Sequence, residues 1–102
     1  MTDRELLELA AKAARIDLQH RKEEPGHYVA DTDGPYWVYW NPLDYDGDAL
    51  RLAVKLHLAV NWTTCFVQVG YAQEEYAEGE DASPAVRRAI VRAAAEIGKE
   101  LK

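Results

Sequence analysis

The C-terminal segment, residues 83–102, carries an apolar stripe at helical spacing that limits the possible folds more than any other feature. Ser83 is typical of a helix N-cap, and Pro84 of the first helical position. The stripe consists of Val86, Ile90, Ala93, Ala94, Ile97 and Leu101. Because a helix with one apolar face is stable only when that face is covered, the rest of the chain must provide a surface that buries it.

A second amphipathic helix is predicted near the N-terminus, over residues 3–18. Thr2 and Glu5 have the spacing of a capping box. Apolar residues then recur at helical intervals, at Leu6, Leu9, Ala10, Ala13 and Ile16. The chain is therefore expected to begin and end with a helix.

Residues 27–40 have the pattern of a β-hairpin. HYVA and YWVYW flank DTDGP, whose Asp and Gly suit a tight turn. In a strand, Tyr36 and Trp40 would face one side, and Trp37 and Tyr39 the other. Since both faces would be aromatic, either both are covered or one of them is a binding surface.

The stretch DGDALRLAVKLHLAV fits either a strand or a helix. Leucine and valine alternate with other residues along it, as in a strand, while an aspartate near its start could cap a helix. The Ala, Leu, Lys and Arg content favours a helix over 46–56, followed by a strand near 57–61. A turn over 61–64 and a strand over 65–71 complete the pattern.

Helices packed on a small, mainly antiparallel sheet would bury all of these stripes most simply. The sequence therefore predicts a single compact α+β domain over residues 1–102, in which two hairpins form the sheet and three helices pack on it. The predicted order is α-β-β-α-β-β-α. A chain of this length can fold without disulfides or metal ions.

The net charge of −6 argues against non-specific binding to nucleic acid and against attraction to an anionic membrane. The charge is unevenly placed, since residues 73–81 carry five acids and no base, whereas residues 83–102 are basic. A single cysteine, Cys65, excludes an internal disulfide. The N-terminal segment has no apolar run typical of a signal peptide or a membrane span. We therefore expect a cytoplasmic protein with no membrane partner.

Nine residues are candidates for contact with a ligand: Tyr36, Trp37, Tyr39, Trp40, Lys55, His57, Arg87, Arg88 and Arg92. The aromatic residues could stack a nucleobase, which contributes ~1–3 kcal/mol per base. The cationic residues could bind phosphate, because Arg87 and Arg88 lie near a helix N-terminus, where a positive side chain is unfavourable unless an anion compensates it.

Both groups also have a structural interpretation. The aromatic residues can fill a core that is short of Phe and Met, since the chain has one of each. Glu78, Glu80 and Asp81 lie just before the last helix and can neutralise its arginines.

The sequence gives no basis for catalysis, a cofactor or a metal site. DYDGD, residues 44–48, alternates Asp as a calcium loop does, but Lys55 stands where such a loop needs its final Glu. Cys65 has no placed base and is expected to pack as a small apolar residue. These observations predict a binding protein rather than an enzyme.

Three segments resemble the phage alpha-beta-alpha sandwich domain family, which comprises small accessory proteins of tailed phages and prophages. The segments are TDRELLELAAKAA, WNPLDYDGDALRLAVKL and AVRRAIVRAAAEIGKEL. The resemblance brings no catalytic motif that could be carried over. It implies an accessory protein that counteracts host defence in the cytoplasm of the bacterial host.

Two modes of action are compatible with these features. The favoured mode is sequestration of a phosphate-bearing nucleotide signal, aided by a homo-oligomer because so small a domain has little room for a deep pocket. The alternative is a protein–protein inhibitor that binds a host defence protein through a Trp/Tyr patch and the acidic loop. Aromatic and arginine side chains on one concave surface would favour the first mode, and an exposed aromatic patch beside the acidic loop would favour the second.

Overall fold

The structure, a computed structural model, describes residues 2–20, 28–31 and 37–101, and for residues 19–20, 28–31 and 37–38 it describes the backbone alone. In chain order the elements are α1 (Asp3–Ala14), β1 (Asp17–His20), β2 (Tyr28–Asp31), β3 (Trp37–Tyr39), α2 (Asp46–Lys55), β4 (Val60–Trp62), β5 (Phe66–Val69), β6 (Ala72–Glu75) and α3 (Ser83–Glu100).

The predicted α+β class is confirmed, whereas the predicted order and the single sheet are wrong. Over the described ranges the order is α-β-β-β-α-β-β-β-α, with one more strand in each half of the chain than predicted. The strands form two antiparallel sheets, ordered β1-β2-β3 and β4-β5-β6. The pairing of β2 with β3 matches the predicted hairpin over 27–40, although its turn lies outside the described residues.

The first helix is shorter than the predicted 3–18. Thr2 and Glu5 form the expected capping box, but the helix ends at Arg15, whose φ of 58° is left-handed. The chain then enters β1. Ile16 fits the helical stripe, but Ile16 and Leu18 are also two residues apart, as on one face of a strand. Both side chains pack against the core from this position.

The helix predicted over 46–56 is confirmed as α2. Leu56 ends it, and His57 has a left-handed φ of 53°, so β4 begins later than the predicted 57–61. The turn predicted over 61–64 is also misplaced, because its first two residues belong to β4. Thr63 makes the actual turn, in which its hydroxyl accepts hydrogen bonds from the backbone N–H groups of Cys65 and Phe66.

Helix α3 is the element against which the others pack. It contacts α1, α2, β5 and β6. Val67 and Val69 of β5 are fully buried, as are Ala89 and Val91 of α3. Ala82 is the N-cap of this helix, so Ser83 is its first residue rather than the predicted cap.

In the part of the chain that is described, no helix is both long enough and apolar enough to cross a membrane.

Small residues allow α1 and α3 to approach each other closely. The buried residues of α1 are mostly alanines, as are those of α3. Gly98 of α3 touches the backbone of α1, since a Cβ atom at this position would lie 2.0 Å from the carbonyl oxygen of Leu9. Real Cβ atoms are not found so close to a carbonyl oxygen, so only glycine permits this helix separation.

We predict that Gly98→Ala destabilises the protein although alanine is the better helix former. The new methyl group forces the two helices apart, and overpacking of this kind costs about 1–3 kcal/mol. Each kcal/mol corresponds to a fall in Tm of about 4–8 °C for a domain of this size. Thermal unfolding followed by circular dichroism measures the change.

Gly47→Ala in α2 is the matched control. Its Cβ would meet only the flexible guanidinium group of Arg51, at 3.3 Å. Alanine at this helical position should leave the free energy of unfolding unchanged or raise it by up to about 1 kcal/mol. Equal Tm values for both variants would show that the α1–α3 contact does not require glycine.

Candidate functional site

An apolar groove of about 530 Å³ opens between α2 and β4, with the N-terminal half of α3 as its floor. Its apolar lining consists of Ala49, Leu50, Ala53, Val60, Trp62, Tyr76, Ala82, Val86 and Ile90. Four polar residues complete it: Asp46, Asp81, Ser83 and Arg87. We call this feature the α2–β4 groove. Its volume falls within the range typical of ligand-binding clefts.

The groove exists because α3 covers only part of the second sheet. Val60 and Trp62 of β4 pair with Val69 and Val67 of β5, so these four side chains share one face of the sheet. The two β5 residues are buried beneath α3, whereas Trp62 remains 63% exposed. The edge strand therefore presents an uncovered indole at the groove.

Helix α2 forms the opposite wall. It turns Ala49, Leu52 and Ala53 toward the core and leaves Leu50 and Val54 each 64% exposed. Leu50 and Val54 are four residues apart and are therefore neighbours on the helix surface. Of these two, Leu50 lines the groove opposite Trp62, so the groove carries two large apolar side chains in contact with solvent, a feature that marks interaction sites more often than a single exposed leucine does.

One end of the groove is polar and holds the first residues of both α2 and α3. Arg87 links the two helices there, donating from Nη1 to Asp46 Oδ1 at 2.6 Å and from Nε to the carbonyl oxygen of Leu43 at 2.7 Å. Asp81 Oδ1 accepts a hydrogen bond of 3.0 Å from the backbone N–H of Ser83. Carboxylates at helix N-termini are stabilised by the helix dipole.

The same contacts lower the pKa of Asp81 below its ordinary value of 3.8. The backbone N–H of Ser83 is the main cause, followed by the Ser83 hydroxyl, and the positive charge of Arg87 adds to the effect. Asp81 is therefore ionised at neutral pH, and the groove carries a fixed negative charge at this end.

The predicted aromatic surface is divided by the fold. Trp40 is buried in the core, with 5% of its surface exposed, whereas Tyr39 is 56% exposed. The backbone of Trp37 lies in β3, and Tyr36 lies outside the described residues. Neither Tyr39 nor Trp40 lines the α2–β4 groove.

The three predicted arginines all pair with carboxylates. Besides the Arg87–Asp46 pair, Arg88 lies 3.1 Å from Asp3, and Arg92 lies 3.2 Å from Glu74. The proposed neutralising residues, Glu78, Glu80 and Asp81, are not these partners. Lys55 and His57 are exposed at the far end of α2 from Asp46, so the structure does not gather the predicted cations at one surface.

The described residues offer no metal cluster of three or more His, Cys, Asp or Glu side chains. The aspartates of DYDGD have other partners: Asp44 accepts from the Asn41 amide, Asp46 pairs with Arg87, and Asp48 accepts from the Asn41 backbone and from Arg51. Cys65 is exposed rather than packed, and the polar atom beside its thiol is the Thr63 hydroxyl, at 3.8 Å.

No family model, curated protein or solved structure matches this chain. The resemblance to the phage family therefore stays a prediction. Sequence reasoning missed the groove because the predicted turn over 61–64 includes Trp62, which in the structure lies in β4. One signal could have found it: Val60 and Trp62 alternate as strand residues do.

We predict that Arg87 holds α2 against α3 and that Arg88 does not. Arg87→Met should lower the free energy of unfolding by about 1–3 kcal/mol, because it leaves its hydrogen-bonded partners without a charged donor. Arg88→Met breaks a solvent-exposed pair and should change it by less than about 1 kcal/mol. Urea unfolding of both variants measures the difference, and equal losses would contradict this role for Arg87.

The lowered pKa of Asp81 predicts a pH-dependent contribution to stability. Its ionised form is favoured in the native state, so the contribution is complete well above pH 3.8 and is lost as the pH falls through the lower native pKa. Asp81→Asn should therefore have a lower Tm than the wild type at neutral pH, and the two Tm values should converge below pH 3.8.

Glu80→Gln is the control for the loss of a carboxylate, since Glu80 is exposed and its side chain makes no hydrogen bond or ion pair with the described residues. Its Tm should follow that of the wild type across the whole pH range. A gap between wild type and Asp81→Asn that persists in acid would show that the ionised carboxylate is not the cause.

Proposed function

We propose that this protein is a non-enzymatic binding module whose α2–β4 groove holds an apolar segment of another protein. The observation that carries the proposal is that two large apolar side chains of the groove lining, Leu50 and Trp62, are mostly exposed to solvent. Tryptophan is one of the residue types that most often contribute a large share of the binding energy at protein interfaces.

The charge of the surroundings also supports a protein partner. Asp46 and Asp81 line the groove beside a single arginine, and the acidic residues Glu78 and Glu80 are exposed in the adjoining loop. This arrangement attracts a basic partner during encounter. It corresponds to the second of the two modes predicted from the sequence, with Trp62 in place of the aromatic residues at 36–40.

Sequestration of a nucleotide has less support. A phosphate at the groove would meet the carboxylates of Asp46 and Asp81, and it would have to displace an existing carboxylate from Arg87. Arg88 and Arg92 are likewise engaged with Asp3 and Glu74. Removing one partner from an ion pair to serve a ligand lowers the net gain of binding.

The resemblance to the phage family extends this proposal. An accessory protein of that kind would act in the cytoplasm of the bacterial host and would use the groove to bind, and so inhibit, a defence protein of the host. A basic partner fits this role, because proteins that act on nucleic acid carry basic surfaces.

We expect selection from a random displayed-peptide library to yield peptides that depend on the groove. Trp62→Ala should weaken their binding by about tenfold or more, which corresponds to the loss of one hot-spot side chain. Leu50→Ala should weaken it in the same direction. Fluorescence polarisation of labelled peptides measures the dissociation constants, and circular dichroism verifies that each variant folds.

Tyr71→Ala is the matched control, since Tyr71 is fully exposed and lies outside the groove. It should leave the affinity within about twofold of the wild type, a change well below that of a hot spot. A parallel thermal-shift series with mono-, di- and cyclic nucleotides tests the other mode, because a ligand of the native state raises Tm. Peptides that bind Trp62→Ala as tightly as the wild type, or a clear shift with a nucleotide, would overturn the proposal.

A further inference from the structure

The width of the uncovered sheet face suggests what the groove accommodates. Strands lie about 4.8 Å apart, and a helix with its side chains is about 10 Å wide, so one helix covers about two strands. Helix α3 packs on β5 and β6 and leaves β4 at the edge. The bare strip above β4 is therefore about one strand wide, and a helix in the groove would rest on this strand and on the side of α3.

The lining of the groove has the spacing of a helix partner. Val86 and Ile90 of the floor are one turn apart on α3, and Leu50 and Ala53 of the wall are about one turn apart on α2. Apolar residues at positions i, i+3, i+4 and i+7 of an amphipathic helix repeat at the same distance. Most of this lining belongs to helices, whereas β4 offers an edge of only three residues to an added strand.

The carboxylates at the polar end of the groove favour a positively charged occupant. Asp46 remains 74% exposed although it bonds to Arg87, and Asp81 has a hydrogen-bond partner but no ion pair within the described ranges. A lysine or arginine at this end of the occupant would form an ion pair with Asp81 without displacing an existing one. A second copy of this chain is a poor candidate, because its net charge of −6 would be brought against an acidic groove.

We propose that the occupant of the α2–β4 groove is an amphipathic helix of a partner protein, with a basic residue at the end that lies against Asp46 and Asp81. The proposal rests on the function proposed above and specifies its partner. The apolar face of that helix packs on Trp62, Leu50 and Ile90, so the helix lies between α2 and β4 on the N-terminal half of α3.

Three displayed-peptide libraries of matched composition test this inference against the full-length protein. The first has helical apolar spacing and a lysine-rich end, the second has the same spacing and a glutamate-rich end, and the third has strand-like alternation and a lysine-rich end. Each library is selected on the wild type and on Trp62→Ala, so that binding through the groove is counted separately from binding elsewhere.

The first library should yield groove-dependent peptides at about tenfold or greater enrichment over the other two. We expect this ratio because each of the other libraries lacks one set of favourable contacts, either the helical apolar face or the basic end. Equal or greater groove-dependent enrichment from the second library would contradict the basic charge of the occupant, and the same result from the third would contradict its helical conformation. Either result would leave the proposed function intact. An absence of groove-dependent peptides from all three would overturn the proposed function itself.

A second measurement tests the contribution of the Asp81 charge by itself. Asp81→Asn removes the negative charge and keeps an oxygen that can accept from Ser83. It should weaken a selected lysine-bearing peptide by about three- to tenfold, with a smaller effect at high salt, and Asp17→Asn on exposed β1 should not. Equal affinity of the peptide for wild type and Asp81→Asn would show that this carboxylate does not select the partner.

Discussion

The contact between Gly98 and the backbone of Leu9 determines where α3 can lie, and the rest of the molecule is built around α3. Alanines on both helices keep the separation small, so the pair gains many close contacts without large side chains. Once α3 is fixed on α1, its other faces are left for α2 and for the inner face of the second sheet. A helix separated by larger residues would lie differently over β5 and β6.

The position of α3 also explains why the groove is open. A single helix covers about two strands, and the second sheet has three, so β4 carries Val60 and Trp62 beyond the covered area. Helix α2 lines the other side of this gap, and Arg87 links its N-terminal end to α3 through Asp46 and the carbonyl oxygen of Leu43. The groove thus follows from the difference in width between a helix and a strand.

The parts of the fold that could be predicted are those with strong local signals. The capping box at Thr2, the length of α2 and the stripe of α3 are all determined within a few residues. Strands β1 and β6 were missed because β1 continues a helical-looking pattern and because β6 has the acidic sequence AQEE, which only pairing with β5 makes a strand. The exposure of Trp62 and Leu50 depends on where α3 stops covering the sheet, and no local pattern contains that information.

The arginines show the same limit in electrostatic terms. Neighbours in sequence suggested that Glu78, Glu80 and Asp81 neutralise the start of α3, yet the partners come from α1, α2 and β6. Positive side chains near a helix N-terminus oppose its dipole, so each gains more from a carboxylate that the fold brings close than from an exposed loop. As a result, Glu78, Glu80 and Asp81 form no ion pair with the described residues, and their charge lies beside the apolar groove. The pairing that stabilises α3 and the negative potential at the candidate site therefore have one origin.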